Sequence, residues 1–266
     1  MTFTYIELLK AQAQYGTTEE DLRIREDFDK ILPNVVIAPW WEITIFDSSD
    51  VVINKINDKV YNIKNKDVAF SFVQVKQIGA PAIIEEVLGL GVTKCQNLIF
   101  VGSAGALTTE IKIGDLAIPK LTICGDGASR YLNKDLKDDF GKKAKPDKIL
   151  NKKLLIAAKK VAKNNDIKVH TANNFSIDTI FAQFPHIDKI IDLGVNTIEM
   201  ETYTFFKAAK IVGIKAAALF CISDNTVINK SLFSGRDEED KIRRRRVRNN
   251  LIAQIIIECY RKDKKI

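Results

Sequence analysis

Short, mostly apolar segments alternate along the chain with segments whose apolar positions return every three or four residues. Continuous apolar character is typical of strands covered on both faces. Such segments lie at residues 35–38, 69–75, 97–101, 116–118, 168–171 and 216–222. The periodic segments, which predict amphipathic helices, lie at 81–90, 151–162, 199–212 and 237–261. This alternation predicts an α/β protein with a central mixed β-sheet flanked by helices on both faces.

The composition is compatible with one domain spanning residues 1–266. A chain of this length with 46% hydrophobic residues can bury one large core, so no second domain is needed. The formal net charge of +7 is compatible with an anionic ligand. Basic and acidic residues are nevertheless interspersed along most of the chain, so nucleic acid is not implied as a partner.

One densely basic segment, residues 241–248, directly follows the acidic residues 237–240. Acidic residues are favoured at the start of a helix, and basic residues can pair with them along it. We interpret the basic segment as a solvated helix face or a subunit contact. A binding site for a polyanion is the alternative.

The cysteines and the apolar segments indicate the cellular compartment in which we expect the protein. Cys95, Cys124, Cys221 and Cys259 are widely spaced, with no CxxC pair and no nearby histidine, so we expect no metal site and a reduced, cytoplasmic protein. The N-terminal residues lack the basic and apolar regions of a signal peptide. No uncharged apolar segment reaches the roughly 18 residues of a membrane span, and we expect no membrane association.

Three segments place small or acidic residues where an open α/β sheet presents groups to a ligand. They are Val101–Leu107 (VGSAGAL), Thr197–Thr202 (TIEMET) and Ala216–Asn225 (AAALFCISDN). Ile113–Pro119 (IGDLAIP) follows the first of them. In form and spacing these segments resemble the nucleoside phosphorylase superfamily, whose members cleave the N-glycosidic bond of nucleosides. The resemblance covers roughly residues 68–230 and implies the nucleoside phosphorylase fold.

Gly102 and Ser103 lie in a turn directly after a predicted strand. Glycines let the backbone come close to a ligand, and Ser103 offers its hydroxyl and N–H to an anion. Chain reversal alone is the alternative. The resemblance implies that this turn contacts phosphate, or the attacking water in nucleosidases.

Met200 and Glu201 lie at the start of a predicted helix. A carboxylate can accept hydrogen bonds from both vicinal hydroxyls of a ribose, and a methionine can pack on the apolar face of the sugar. Acidic residues are also favoured at a helix N-terminus for structural reasons alone. The resemblance implies that Glu201 binds the ribose and that Met200 is its neighbour there.

Asp224 ends a predicted strand. Cleavage of a purine N-glycosidic bond leaves negative charge on the base, and a protonated carboxyl near N7 of the base would lower the barrier. A capping role in the following turn is the alternative. The resemblance implies that Asp224 is the general acid, with Arg236 as the nearest candidate for the arginine that assists it.

Residues 175–181 (FSIDTIF) resemble the segment that supplies the face on which the base stacks. An aromatic ring there would bury the flat base. Phe181 is the expected contact, and Ile180 stands where purine-specific relatives often have the aromatic residue. A core position for the phenylalanine is the alternative.

The expected phosphate-binding cations are missing from two places. Phe100 precedes the glycine turn where phosphorolytic relatives often carry an arginine, and residues 38–42 (APWWE) replace a Gly-Asp-Pro loop followed by an arginine. A phosphate dianion normally needs such cations. Arg130, or an arginine from another subunit, is the expected substitute. Alternatively, Glu42 activates water, as in the nucleosidase branch of the family.

The sequence thus predicts a homo-oligomeric enzyme that cleaves a nucleoside, with a purine nucleoside preferred. Inorganic phosphate is the expected co-substrate, and no metal or organic cofactor is expected. Hydrolysis with water activated by Glu42 is the first alternative. A nucleoside-binding protein without turnover is the second.

Overall fold

The computed structural model describes residues 1–15, 25–47 and 49–262. The α-helices are α1 (Tyr5–Gln14), α2 (Ala80–Leu90), α3 (Lys148–Lys163), α4 (Ile187–Ile191), α5 (Thr202–Val212), α6 (Glu238–Arg246) and α7 (Ile252–Tyr260). The strands are β1 (Asn34–Pro39), β2 (Val52–Lys55), β3 (Val60–Lys64), β4 (Ala69–Val75), β5 (Asn97–Ala106), β6 (Leu116–Gly125), β7 (Lys143–Ala144), β8 (Val169–Ile177), β9 (Thr197–Glu199) and β10 (Lys215–Asn225). Short 3₁₀ turns include Ile43–Phe46 and Thr226–Ile228.

The strands form one mixed sheet, part of which closes on itself. Strand β5 pairs in parallel with β1 and β10 and also meets β9 in antiparallel orientation at its last two residues. The pairs β10–β6, β6–β8 and β8–β9 complete a ring of strands. Strands β4, β3 and β2 continue the sheet beyond β1. The ten-residue length of β5 makes this possible, since its first half pairs with β1 and its end pairs with β9.

The two faces of the sheet are covered by different helices. Along β10, Ala216, Ala218, Phe220 and Ile222 belong to one core cluster, and Ala217, Leu219 and Cys221 belong to the other. This is the alternation that a strand with period two requires. Helices α2 and α5 pack into the first cluster, and α3 and α7 into the second. The predicted architecture, a mixed sheet with helices on both faces, is confirmed.

The C-terminal helical segment is interrupted by a turn of π-helix. Asp237 caps α6 in a capping box with Asp240, as the acidic start of the segment predicts. Residues Val247–Leu251 then form a π-helical turn before α7. A π-turn within a helix is rare and often marks a functional site. The sequence predicts one continuous helix here, so the interruption is a correction.

Several strands are longer than the apolar segments from which they are predicted, whereas β4 has the predicted bounds. The segments at 97–101, 116–118 and 168–171 are the beginnings of β5, β6 and β8. Each strand continues into polar or small residues at its end, where apolar character no longer marks it. None of the helices formed by the described residues has the length and apolar character needed to span a bilayer.

Candidate active site

A pocket of about 290 Å³ opens where several strands end. Its walls come from the residues after β1, the second half of β5, the segment after β8, the β9–α5 junction and the end of β10. Gly102 and Ser103 do not form the predicted turn, because β5 continues through them and pairs there with β10. Because β1, β5 and β10 run parallel, their carboxyl ends meet at one edge of the sheet. Most of the predicted site residues line this pocket, namely Gly102, Ser103, Ile180, Met200, Glu201 and Asp224.

Glu201 is buried at the junction between β9 and α5, with only 6% of its surface exposed. Its Oε1 accepts a hydrogen bond of 2.6 Å from the backbone N–H of Gly79, the residue that precedes α2. Its Oε2 accepts from the N–H of Met200 at 3.2 Å. Burial, and next the charge of Glu199, raise the pKa of Glu201 to about 8. The carboxyl group is therefore held in place by backbone donors at the wall of the pocket.

Glu199, which also lines the pocket, organises the turn that carries Glu201. Its Oε2 accepts from the backbone N–H groups of Glu201 and Thr202, and its Oε1 accepts from Ser176 Oγ and Asn174 Nδ2. Burial raises its pKa, and these donors act against that rise. No sequence motif indicated a role for Glu199. Glu199 thus links the start of α5 to two side chains of β8 through hydrogen bonds.

We expect Glu201→Gln to change how stability depends on pH. The unfolded chain releases the Glu201 proton near the ordinary pKa of 4.5, and the folded protein near 8, so the folded state binds more protons between these values and loses stability as pH rises. The amide does not ionise and removes this loss. Relative to wild type, the melting temperature of the variant should rise by about 2–8 °C between about pH 6 and about pH 8. Parallel melting profiles would contradict the raised pKa.

Asp224 lies near the end of β10, where only 4% of its surface is exposed. A bulge between Ile222 and Asp224 shifts the register of β10 against β5 and sets Asp224 opposite Gly105. A Cβ on Gly105 would come within 2.9 Å of Asp224 Oδ2, so the glycine leaves room for the carboxyl group. Burial raises the pKa of Asp224, while the Ser223 hydroxyl, which donates to Oδ1, acts in the opposite direction. This environment favours the protonated carboxyl that general-acid chemistry requires.

Arg236 lies beside Asp224 without forming a hydrogen bond to its carboxylate. Its guanidinium donates to the backbone carbonyls of Ser223 at 3.2 Å and Leu232 at 2.9 Å. Its positive charge lowers the pKa of Asp224, against the effect of burial. Arg236 therefore holds the loop after β10 against the end of that strand. The predicted assisting role stays a prediction.

Two arginines that the sequence analysis does not place at the site line the pocket. Arg244 Nη2 lies 3.3 Å from Ser103 Oγ and donates to it. Arg248 donates to the backbone carbonyl of Trp40 at 3.3 Å, and its guanidinium lies 5.1 Å from the centre of the Trp41 ring. Both arginines belong to the basic segment interpreted above as a solvated face or a subunit contact. Because both line the pocket, a solvated helix face does not describe these two residues.

Besides Arg236, three further predicted site residues lie outside the lining of the pocket. Phe181 is 80% exposed, and Ile180 lines the pocket instead. Arg130 forms an ion pair of 2.6 Å with Asp138 and donates to the carbonyl of Gly127. Glu42 is exposed at the residue before the 3₁₀ turn Ile43–Phe46, and its neighbours Trp40 and Trp41 line the pocket in its place. Within this protomer the structure does not bring these three residues to the pocket.

No cluster of three or more His, Cys, Asp or Glu side chains within the described ranges is placed to hold a metal ion. The pocket instead combines three buried carboxyl groups, those of Glu199, Glu201 and Asp224, with two serine hydroxyls and two guanidinium groups. One further buried polar residue, Gln183, lines it after β8. The amide of Gln183 offers both a donor and an acceptor to a ligand, and no sequence motif pointed to it.

The fold and pocket define an α/β protein with a polar pocket at the carboxyl ends of its strands. The profile of the family described as Phosphorylase superfamily matches residues 59–258. Because this match covers most of the chain, the protein belongs to the phosphorylase superfamily. The resemblance stated from the sequence motifs is thereby confirmed.

Individual relatives are distant. The DeoD-type purine nucleoside phosphorylase of Shewanella frigidimarina is 29% identical over 131 residues, which cover 49% of this chain and 52% of the relative. The corresponding protein of Bacillus velezensis is 28% identical over 132 residues, which cover 50% and 53%. The chain therefore matches about half the length of these curated relatives.

Solved structures with the same fold include phosphorylases and nucleosidases. Purine nucleoside phosphorylase from Toxoplasma gondii, in complex with immucillin-H, superposes with a TM-score of 0.69 at 14% identity over 91% of this chain and 92% of that one. Uridine phosphorylase from Vibrio fischeri gives 0.69 at 20% identity, over 87% and 92%. The 5′-methylthioadenosine/S-adenosylhomocysteine nucleosidase of Campylobacter jejuni gives 0.63 at 18% identity, over 86% and 98%. These identities establish the shared fold alone.

Proposed function

We propose that this protein cleaves the N-glycosidic bond of a purine nucleoside by phosphorolysis. The observation that carries the proposal is that Glu201 and Asp224, both buried, line one pocket together with Ser103. Glu201 is a carboxyl group suited to the ribose hydroxyls, and Asp224 is a carboxyl group whose pKa is raised by burial. The DeoD-type relatives carry the name purine nucleoside phosphorylase, which supports the choice of a purine.

In the proposed reaction, an oxygen of phosphate attacks C1′ of the ribose as the bond from C1′ to the purine nitrogen breaks. The bonding electrons leave with the base, and the Asp224 carboxyl gives its proton to N7. Glu201 fixes the sugar through its hydroxyls, which keeps C1′ at one position relative to both partners. The products are ribose 1-phosphate and the free base, and Asp224 regains a proton from solvent.

Phosphate is favoured over water as the nucleophile because of the charges at the pocket. Arg244 and Arg248 line the pocket, whereas Glu42, the carboxylate proposed to activate water, lies outside the lining. Guanidinium groups suit a phosphate dianion, while a neutral water molecule needs a base instead. The pocket therefore lacks the Glu42 carboxylate that hydrolysis was expected to use as the base that activates water.

A phosphate titration tests the proposed function. With purified protein and a purine nucleoside, the rate should saturate as phosphate is added, and ribose 1-phosphate should form in an amount equal to the free base. Release of free ribose at a rate that is indifferent to phosphate would make the protein a nucleosidase. Saturable nucleoside binding without either product would make it a binding protein.

A further inference from the structure

A second cavity, of about 310 Å³, is lined in part by Arg244 and Arg248. Its lining is basic and consists of Arg236, Lys241, Arg244, Arg245, Arg248 and Asn249. Arg244 and Arg248 also line the pocket that holds Glu201 and Asp224. These two arginines therefore border both the pocket proposed to hold the nucleoside and a cavity whose walls carry positive charge.

The arginines of this cavity lack carboxylate partners. Among the described residues, Arg236, Arg244, Arg245 and Arg248 form no ion pair, whereas Arg243 on the same helix pairs with Asp115 at 2.7 Å. Close guanidinium groups without counter-charges repel one another. Burial, together with the charges of Arg248 and Arg236, accordingly lowers the pKa of Arg244.

Arg244 and Arg248 also keep hydrogen-bond donors unused. The Nε atoms of both side chains are buried and have no hydrogen-bond partner. A buried N–H without a partner costs free energy, the more so on a charged group. An oxyanion placed between the two residues would accept from these planar groups and compensate their charge.

We propose that Arg244 and Arg248, together with Ser103, bind inorganic phosphate. The residues are four apart along the helical segment, so they project from neighbouring turns of one face. Ser103 Oγ, which already accepts from Arg244, lies in the second half of β5 and offers the anion a hydroxyl donor. That the bound phosphate serves as co-substrate rests on the proposed function. In this proposal, arginines of the C-terminal helical segment bind the phosphate in place of Arg130.

Isothermal titration of nucleoside-free protein with inorganic phosphate tests the site without turnover. Wild type should bind, and R244A/R248A should bind about 10–100-fold more weakly, since charge-assisted hydrogen bonds are lost. Arg246→Ala is the matched control, because Arg246 is an exposed arginine on the same helix that donates to Asn165 Oδ1 outside both cavities. The control should match wild type. Equal phosphate affinity in wild type and the double variant would overturn the proposal.

Further measurements separate the outcomes. R244K/R248K keeps the charges and removes the planar forks, so it should fold as wild type in a thermal melt and bind phosphate with intermediate affinity. Titration with ribose 5-phosphate identifies the source of the phosphate group: binding of this compound but not of inorganic phosphate would contradict the proposal. If turnover proves independent of phosphate, the proposed function fails while calorimetry still decides the site. If turnover needs phosphate but the KM for phosphate is unchanged in R244A/R248A, the proposed function stands and the proposed phosphate site is contradicted.

Discussion

Asp224→Asn is expected to lower turnover of a purine nucleoside by about 10²–10⁴-fold. Asparagine keeps the shape of the side chain and can still accept from the Ser223 hydroxyl, but it has no proton to give to the leaving base. The measurement is kcat with a purine nucleoside and, in parallel, with a nucleoside whose leaving group needs no protonation. The second substrate should be affected much less, because its departure does not depend on the acid.

The matched control for this variant is Asp126→Asn. Asp126 is also a buried aspartate whose pKa is raised by burial, but it lies outside the pocket and accepts from the N–H of Ser129. Its variant should keep kcat per folded molecule. An equal loss on both substrates in Asp224→Asn would indicate a structural role for Asp224 and would contradict general-acid catalysis.

Glu201→Gln is expected to reduce kcat/KM for a ribonucleoside by about 5–150-fold, the equivalent of about 1–3 kcal/mol. Above about pH 8, where the Glu201 carboxyl is ionised, one acceptor oxygen becomes an N–H donor, so the two ribose hydroxyls no longer find two acceptors. The measurement compares each ribonucleoside with its 2′-deoxy analogue. The analogue has fewer hydroxyls to lose, so its kcat/KM should fall less.

Glu86→Gln serves as the control for Glu201→Gln. Glu86 is a fully buried glutamate in α2 that pairs with Lys59 at 3.0 Å and does not line the pocket. Its variant tests whether loss of any buried glutamate lowers activity. Unchanged discrimination between ribose and deoxyribose substrates in Glu201→Gln would contradict the assignment of Glu201 to the ribose.

The fold was predictable from the sequence because its cores are built from continuous apolar strands and periodic helices. The closure of the sheet was not predictable, since it depends on a two-residue pairing between β5 and β9 whose residues carry no distinctive pattern. The π-helical turn at Val247–Leu251 was equally hidden. Its sequence, VRNNL, keeps apolar residues at spacings that a regular helix also allows.

The candidate site was predictable where each residue lies within a local motif. Ser103, Glu201 and Asp224 each follow or end a recognisable strand, so their meeting at the pocket follows from parallel strand topology. Arg244 and Arg248 were not predicted, because a basic segment that follows acidic residues at a helix N-terminus is also typical of a solvent-exposed helix. Only the packing of α7 against the sheet determines which arginines of that segment reach the pocket.

The π-helical turn between α6 and α7 contains one residue more than a regular helical turn. This extra residue sets the rotation of α6 relative to α7, and with it the position of Arg244. One residue corresponds to about 100° of rotation around a regular helix. Deletion of one residue within 247–251 would restore a regular helix and turn α6, with Arg244, by about that angle relative to α7, which the core holds fixed. Descendants of this gene could therefore lose the arginines from the pocket, or recover them, through a single-codon deletion or insertion that leaves every arginine in the sequence.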